Sequence, residues 1–319
     1  MKYKLLFTII AIFIFGVLFY VPKVNEIVYI CRETGRKEIE KVPGAFLLRW
    51  LYNNPFGKIS VISIFKRKFV SEYYGRKMDE KSSALKIPEF VKEYDINMEE
   101  SEKSIEEFQT FNEFFYRKLK KNARKISEKD IISPADGKIV AFSSIDENMS
   151  FFIKGEKFNL EEFLNDKKLA EEFNEGAMAI IRLAPVDYHR YHFPVSGKLE
   201  KIIDIKGDYF SVSPIAMKKS LEIFMKNKRS ITLIEGEKYN RYLFAEIGAT
   251  MVGTIVNTTK EKELVLKGEE KGYFKFGGSS VMIIFKKGIV NFDKDILENT
   301  KNGYETSVKM GEGIGSFYR

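Results

Sequence analysis

The stretch that most constrains this chain is Lys271 to Phe285, KGYFKFGGSSVMIIF, close to the C-terminus. Aromatic residues lead into Gly277-Gly278-Ser279-Ser280, and an unbroken apolar run, Val281 to Phe285, follows. This pattern predicts two strand segments separated by a kink. Two glycines allow the backbone a positive φ or a close approach to another group, and the hydroxyl after them can reach the preceding carbonyl carbon. A β-bulge carrying two solvated serines fits the same letters. The remainder of the chain has to decide between chemistry and a turn.

With 319 residues the chain can bury one large core or two small ones. Its net charge of +8 favours an anionic partner, either nucleic acid or anionic lipid. The single cysteine, Cys31, excludes an intrachain disulfide and a thiolate cluster, and two histidines are too few for a His-rich metal site, so no metal is expected. The N-terminus favours lipid. Leu5 to Val21 carries no charge, about the length that spans a hydrocarbon core, and no small-residue cleavage pattern follows it. Residues 1–22 are therefore expected to be an uncleaved anchor in the cell membrane rather than a secretory signal. Lys23, Arg32, Arg36, Lys37 and Lys41 after it put the main body on the cytoplasmic side.

The expected fold class is α+β: a helical, membrane-associated part over 23–126, then a β-rich catalytic domain over 127–319. In Lys58 to Val70, Ile59, Ile62, Phe65 and Phe69 recur at helical spacing beside Lys58, Lys66, Arg67 and Lys68. That suits a helix lying in an anionic bilayer surface, and equally an amphipathic helix packed on a core. Thr110-Phe111-Asn112-Glu113 has capping-box spacing and opens a helix carrying Phe111, Phe114, Phe115 and Leu119 on one face. Beyond Ser127 short apolar runs predict strands at 138–142, 177–183, 199–205, 231–234, 243–247, 251–256 and 281–285. Leu160 to Leu164 is a helical turn with Asn159 as its cap.

Three places in the β-rich part carry unusual polar chemistry. Ser133 to Lys138 (SPADGK) is a turn that delivers a carboxylate, Asp136, to the mouth of a strand. Leu183 to Pro194 (LAPVDYHRYHFP) holds both histidines, His189 and His192. The third place is the Gly278-Ser279 step. A serine becomes nucleophilic when a base takes its proton and a carboxylate orients that base, so Asp136, His192 and Ser279 make a sufficient set. Their target is either an external ester or the Gly278 carbonyl. The absence of a G-x-S-x-G elbow weakens the esterase version.

In this order, SPADGK at 133–138, LAPVDYHRYHFP at 183–194, FSVSPIA at 210–216 and GYFKFGGSS at 272–280 resemble the phosphatidylserine decarboxylase family, prokaryotic type. YGRKMD at 74–79 and FNEFFYRKL at 111–119 resemble it too, so the likeness covers roughly 30–319. That family usually has Thr after its reactive serine where this chain has Ser280, which keeps the hydroxyl. The resemblance implies that the chain cuts itself between Gly278 and Ser279. His192, oriented by Asp136, would take the Ser279 proton; the oxygen attacks Gly278 and the amide becomes an ester. β-Elimination then frees the Gly278 carboxylate, and the dehydroalanine left behind hydrolyses to a pyruvoyl group with loss of ammonia. The products are chains 1–278 and 279–319.

The implied cofactor is thus a covalent pyruvoyl derived from Ser279, which forms a Schiff base with phosphatidylserine and acts as the electron sink for loss of CO2, giving phosphatidylethanolamine. His189 is assigned to protonating the α-carbon or placing the carboxylate, a task His192 can share. The expected partners are an anionic phospholipid membrane and phosphatidylserine, with no nucleic acid; a homodimer is left open. The alternatives are a membrane-anchored lipid-binding module and a serine esterase, neither of which cuts itself.

Overall fold

The computed structural model describes residues 16–18, 20, 21, 26–145, 158–217, 222–236, 240–249, 254–261, 263–277 and 279–318. The strands are β1 (Val28–Ile30), β2 (Lys37–Ile39), β3 (Ile131–Ile132), β4 (Gly137–Phe142), β5 (Ala177–Leu183), β6 (Arg190–His192), β7 (Gly197–Ile205), β8 (Arg229–Gly236), β9 (Asn240–Ile247), β10 (Ile255–Asn257), β11 (Leu264–Val265), β12 (Glu270–Phe274), β13 (Ser279–Phe285), β14 (Val290–Phe292), β15 (Glu305–Val308) and β16 (Gly313–Phe317). One ten-stranded sheet runs β11-β7-β8-β9-β13-β5-β4-β15-β1-β2, antiparallel except where β1 lies along β15. Two three-stranded sheets, β10-β12-β6 and β14-β16-β3, complete the β-structure.

β13 lies between β9 and β5, well inside the large sheet. Alternate side chains of a strand point to opposite faces. Val281, Ile283 and Phe285 accordingly join a layer with Tyr191, Phe274 and Phe317, while Met282 and Ile284 join one with Phe163, Phe173 and Phe224. Both faces are covered, which is why the run from Val281 to Phe285 is apolar without alternation. The expected kink is the place where the chain leaves the small sheet at β12 and enters the large one at β13.

Helices α1 (Ala45–Asn53), α2 (Pro55–Ser60), α3 (Lys68–Asp79), α4 (Ile87–Tyr94) and α5 (Phe111–Phe115) occupy the N-terminal part, with a π-helical turn at Val61–Phe65 between α2 and α3. Asn54 caps α2 by accepting from Phe56 and Gly57 amides, and Pro55 supplies the pre-set φ of a first helical residue. Thr110 caps α5 by accepting from the Glu113 amide, whereas the Glu113 carboxylate reaches the Gln109 amide rather than closing the box on Thr110. The helix stops at Phe115, short of Leu119, which bridges instead to Ser101. Leu160–Leu164 is helical with Asn159 as its cap, as expected.

The α+β class stands, but the expectation of a purely helical N-terminal part is corrected. Its first described elements, β1 and β2, form a hairpin on the edge of the large sheet, where Tyr29 pairs with Glu305. Three-residue strands whose partner lies far along the chain leave no local periodicity to read. Among the described residues no helix is long and apolar enough to cross a membrane. Most of the expected anchor, Leu5 to Val21, lies outside the described residues. The part of Lys58 to Val70 read as one amphipathic helix is divided between α2, the π-turn and α3. Its apolar face does not pack on the core: Ile59, Ile62 and Phe69 are each about 60% exposed, at 61%, 58% and 62%.

Candidate functional site

The chain arrives at the site through Phe276 and Gly277. The Phe276 amide donates to the Asn112 side chain at 2.7 Å, and its ring packs edge-on against Phe111 and Phe115. Gly277 takes a φ of 132°, a value open in practice only to glycine. Gly278 lies outside the described residues. Ser279 then opens β13 opposite Leu183, and Ser280 lies between Arg182 and Ile247. Both serines are fully buried, and among the described residues neither hydroxyl has a hydrogen-bond partner. Buried hydroxyls normally find one, so two consecutive orphans mark a place built for something other than stability.

Both histidines come from the segment that links β5 to β6. His189 is buried against the Phe115 ring, with centroids 3.8 Å apart, and its carbonyl accepts the Phe274 amide. Its Nδ1 donates to the Asp187 carbonyl at 2.9 Å, which leaves Nε2 as the unprotonated nitrogen, buried and without a partner. Burial pushes His189 down to about 4, against the opposing pull of the Asp187 and Gly277 backbone, so the ring is neutral near pH 7. His192 donates from Nδ1 to the Gly268 carbonyl at 3.0 Å and accepts at Nε2 from the Tyr188 hydroxyl at 3.2 Å. Burial lowers its pKa as well.

Asp136 ends the turn whose Ser133 hydroxyl donates to the Ala135 carbonyl. Its carboxylate takes the fork of Arg124, at 3.0 and 2.5 Å, together with the Met310 amide at 2.8 Å. The Asp136 turn touches the histidine segment through the His192 amide, which donates to the Pro134 carbonyl at 2.8 Å. Asp136 also acts on His192 through its charge, favouring the protonated ring. Among the described residues no hydrogen bond runs from Asp136 to His192, or from His192 to Ser279. The side chain placed beside Gly277 is His189.

Sequence reasoning missed three groups. The first is Asn112, which donates to Asp79 at 2.9 Å and to the Gly75 carbonyl while receiving Phe276, tying the 74–79 and 111–119 segments to the turn before Ser279. The second is Arg182, fully buried and forked to both Glu40 and Glu305. The third is Lys271, buried in contact with Glu246 and 2.7 Å from Asn257. Burial drives Glu246 up and Lys271 down, toward the neutral forms of both, against their mutual attraction. Partners so distant in sequence give no local signal; the quoted motifs do contain Asn112, Arg182's neighbour Leu183 and Lys271's neighbour Gly272.

A cavity of about 260 Å³ adjoins Gly277, enclosed by Leu47, Leu51 and Tyr52 of α1, Leu183 and Val212. The Tyr52 hydroxyl accepts the Ser211 amide at 2.9 Å, which ties α1 to the 210–216 segment. The lining thus joins residues of α1 to Gly277 and to Leu183, the strand partner of Ser279.

Residues 111–316 match the family described as phosphatidylserine decarboxylase. A protein of Fusobacterium nucleatum named phosphatidylserine decarboxylase proenzyme is 51% identical over 294 residues, covering 92% of this chain and 98% of its own. A Clostridium tetani protein of the same name is 48% identical over 287 residues, covering 89% and 96%, and one from Clostridium perfringens is 45% identical over 287 residues, covering 89% and 98%.

Proposed function

The chain belongs to the phosphatidylserine decarboxylase family, and from that premise we propose how its residues prepare and run the reaction. It is a carboxy-lyase that converts phosphatidylserine to phosphatidylethanolamine and CO2 in phospholipid synthesis. The observation that carries the finer reading is the buried, unpartnered Ser279 hydroxyl directly after a glycine pair whose first member has a positive φ. A hydroxyl with no competing hydrogen bond is free to turn onto the preceding carbonyl, so these residues fit a group made from Ser279. When present, a pyruvoyl at position 279 supplies an electron sink for the charge left by departing CO2.

The chain's own residues move the protons. His192 is neutral and keeps Nε2 as its basic nitrogen; as the base for the cut it takes the Ser279 proton, and Asp136 favours the imidazolium that results through its charge. His189, bare at Nε2 at rest, takes up there the proton that the substrate ammonium releases and passes it to the α-carbon, with its ring fixed by Asp187 and Phe115. One observation favours the opposite division: the bare Nε2 beside the Gly277 backbone belongs to His189. The large and small chains of the precursor stay together as one enzyme. The exposed face of Ile59, Ile62 and Phe69 with Lys58 and Arg67 rests on anionic lipid, and the chamber by Gly277 admits the substrate from there.

Intact mass and a denaturing gel test this directly. Wild-type protein is expected as chains 1–278 and 279–319, and Ser279→Ala as one inactive chain. An uncut wild type that still decarboxylates the lipid would sink the reading. His192→Ala uncut with His189→Ala cut but inactive supports the first division of roles; the reverse result supports the second.

A further inference from the structure

Four cations around the site are each paired with an acid. Arg124 binds Asp136 and Glu100, Arg182 binds Glu40 and Glu305, Lys138 binds Asp187, and Arg190 binds Glu270. Among the described residues Arg117 has no carboxylate within ion-pairing distance, although it is only 6% exposed. Its Nε has no partner, one terminal nitrogen donates to the Phe114 carbonyl at a long 3.4 Å, and the guanidinium lies 5.0 Å over the Phe114 ring. It lies two residues after Phe115, whose ring is 3.8 Å from that of His189, and its charge opposes protonation of His189. A cavity of about 330 Å³ reaches Arg117, lined by Lys103, Lys118 and Arg190 and by two acids, Glu102 and Glu113, of which Glu113 is held by Lys103.

A largely buried guanidinium without an acid and with an idle Nε is costly, and a stable core would replace it with an apolar residue or give it an acid. We propose that Arg117 is an anion-binding residue of the site, held in reserve for a carboxylate that the chemistry brings to it. Two carboxylates answer that description: the serine carboxylate of the lipid before it leaves, and the α-carboxylate that the cut frees on the large chain. Both are planar and match the fork of a guanidinium. The inference rests on the self-cutting reading given above.

The test compares Arg117→Gln and Arg117→Lys with wild type, each also in a Ser279→Ala background that cannot cut. The readouts are the cut fraction, KM and kcat on phosphatidylserine in mixed micelles, and the thermal midpoint. If the lipid carboxylate is the ligand, Arg117→Gln raises KM at least tenfold with a smaller change in kcat, and lysine restores part of it. If the new terminus is the ligand, Arg117→Gln lowers the midpoint of the cut protein and not that of the uncut background. Equal midpoint losses in cut and uncut forms with KM unchanged would overturn the assignment. Should Arg117→Gln fail to fold, Arg117→Lys carries the same comparison, because an ammonium cannot make the two-bond fork; wild-type KM and midpoint in that variant also overturn it. Wild-type protein run alongside reports separately on the cut: if it stays whole, the self-cutting reading fails.

Discussion

The Asn112 side chain holds the backbone amide of Phe276 at 2.7 Å, two residues before Gly278. This one bond fastens the turn that precedes Ser279 to α5, and α5 is itself fastened to α3 through Asp79. Removing it leaves a buried amide without an acceptor, worth about 1–3 kcal/mol. Asn112→Ala is expected to lose stability of that order in urea titration and to accumulate uncut precursor on a gel. Gly277→Ala should accumulate precursor as well, because a φ of 132° strains any side chain by about 1–3 kcal/mol.

Acid sensitivity follows from His189. Its folded pKa of about 4 lies below the ordinary 6.5, so between those values the unfolded chain binds a proton that the folded one does not. Stability is full above pH 6.5 and falls as pH drops toward 4, by up to about 3 kcal/mol; the lowered His192 acts in the same direction. Urea midpoints for uncuttable protein at pH 7 and pH 5 measure this loss. His189→Asn should shrink it, and an undiminished loss would place its origin elsewhere.

The Lys271 and Glu246 pair offers a double-mutant cycle. Either Lys271→Met or Glu246→Leu alone leaves a buried polar group without its partner, at a cost of about 3–5 kcal/mol by chemical denaturation. Lys271→Met with Glu246→Leu should regain most of that, since the surrounding rings of Tyr191 and Phe244 already form an apolar shell. A double variant as unstable as the sum of the singles would show that the two side chains do not depend on each other.

The exposed face of α2 and α3 predicts lipid attachment by the folded body itself. Ile59→Glu combined with Phe69→Glu is expected to weaken sedimentation with anionic vesicles at least tenfold while leaving the cut fraction unchanged. Unaltered sedimentation would assign attachment to another segment.

Much of the β-rich part was legible because its strands are bounded by glycines and charged turns. Ala177–Leu183 was expected end to end, and the strand at 281–285 is extended only by Ser279 and Ser280. The hairpin of β1 and β2 was not legible, because its stability comes from β15, some 275 residues away. The candidate site was legible only as residue types: two histidines, one turn aspartate and a glycine-serine step. Its wiring was not: that Asp136 is claimed by Arg124, and that His192 leans on Gly268 and Tyr188, depends on contacts that no spacing encodes. The exposed face on α2 and α3 shows the same limit, since its periodicity served a core helix equally well until burial was known.

The position of β13 bears on the life of the molecule after maturation. A break before Ser279 would leave a fragment whose first strand is laced between β9 and β5 and whose β15 separates β4 from β1. Such a piece can depart only if the whole fabric is dismantled, and nothing then joins the two polypeptides for a second attempt. Under the proposed cut, the uncut precursor is the form that learns its shape, whereas the processed form would keep that shape without the means to find it again: heating should be reversible for Ser279→Ala and a one-way passage for the processed protein.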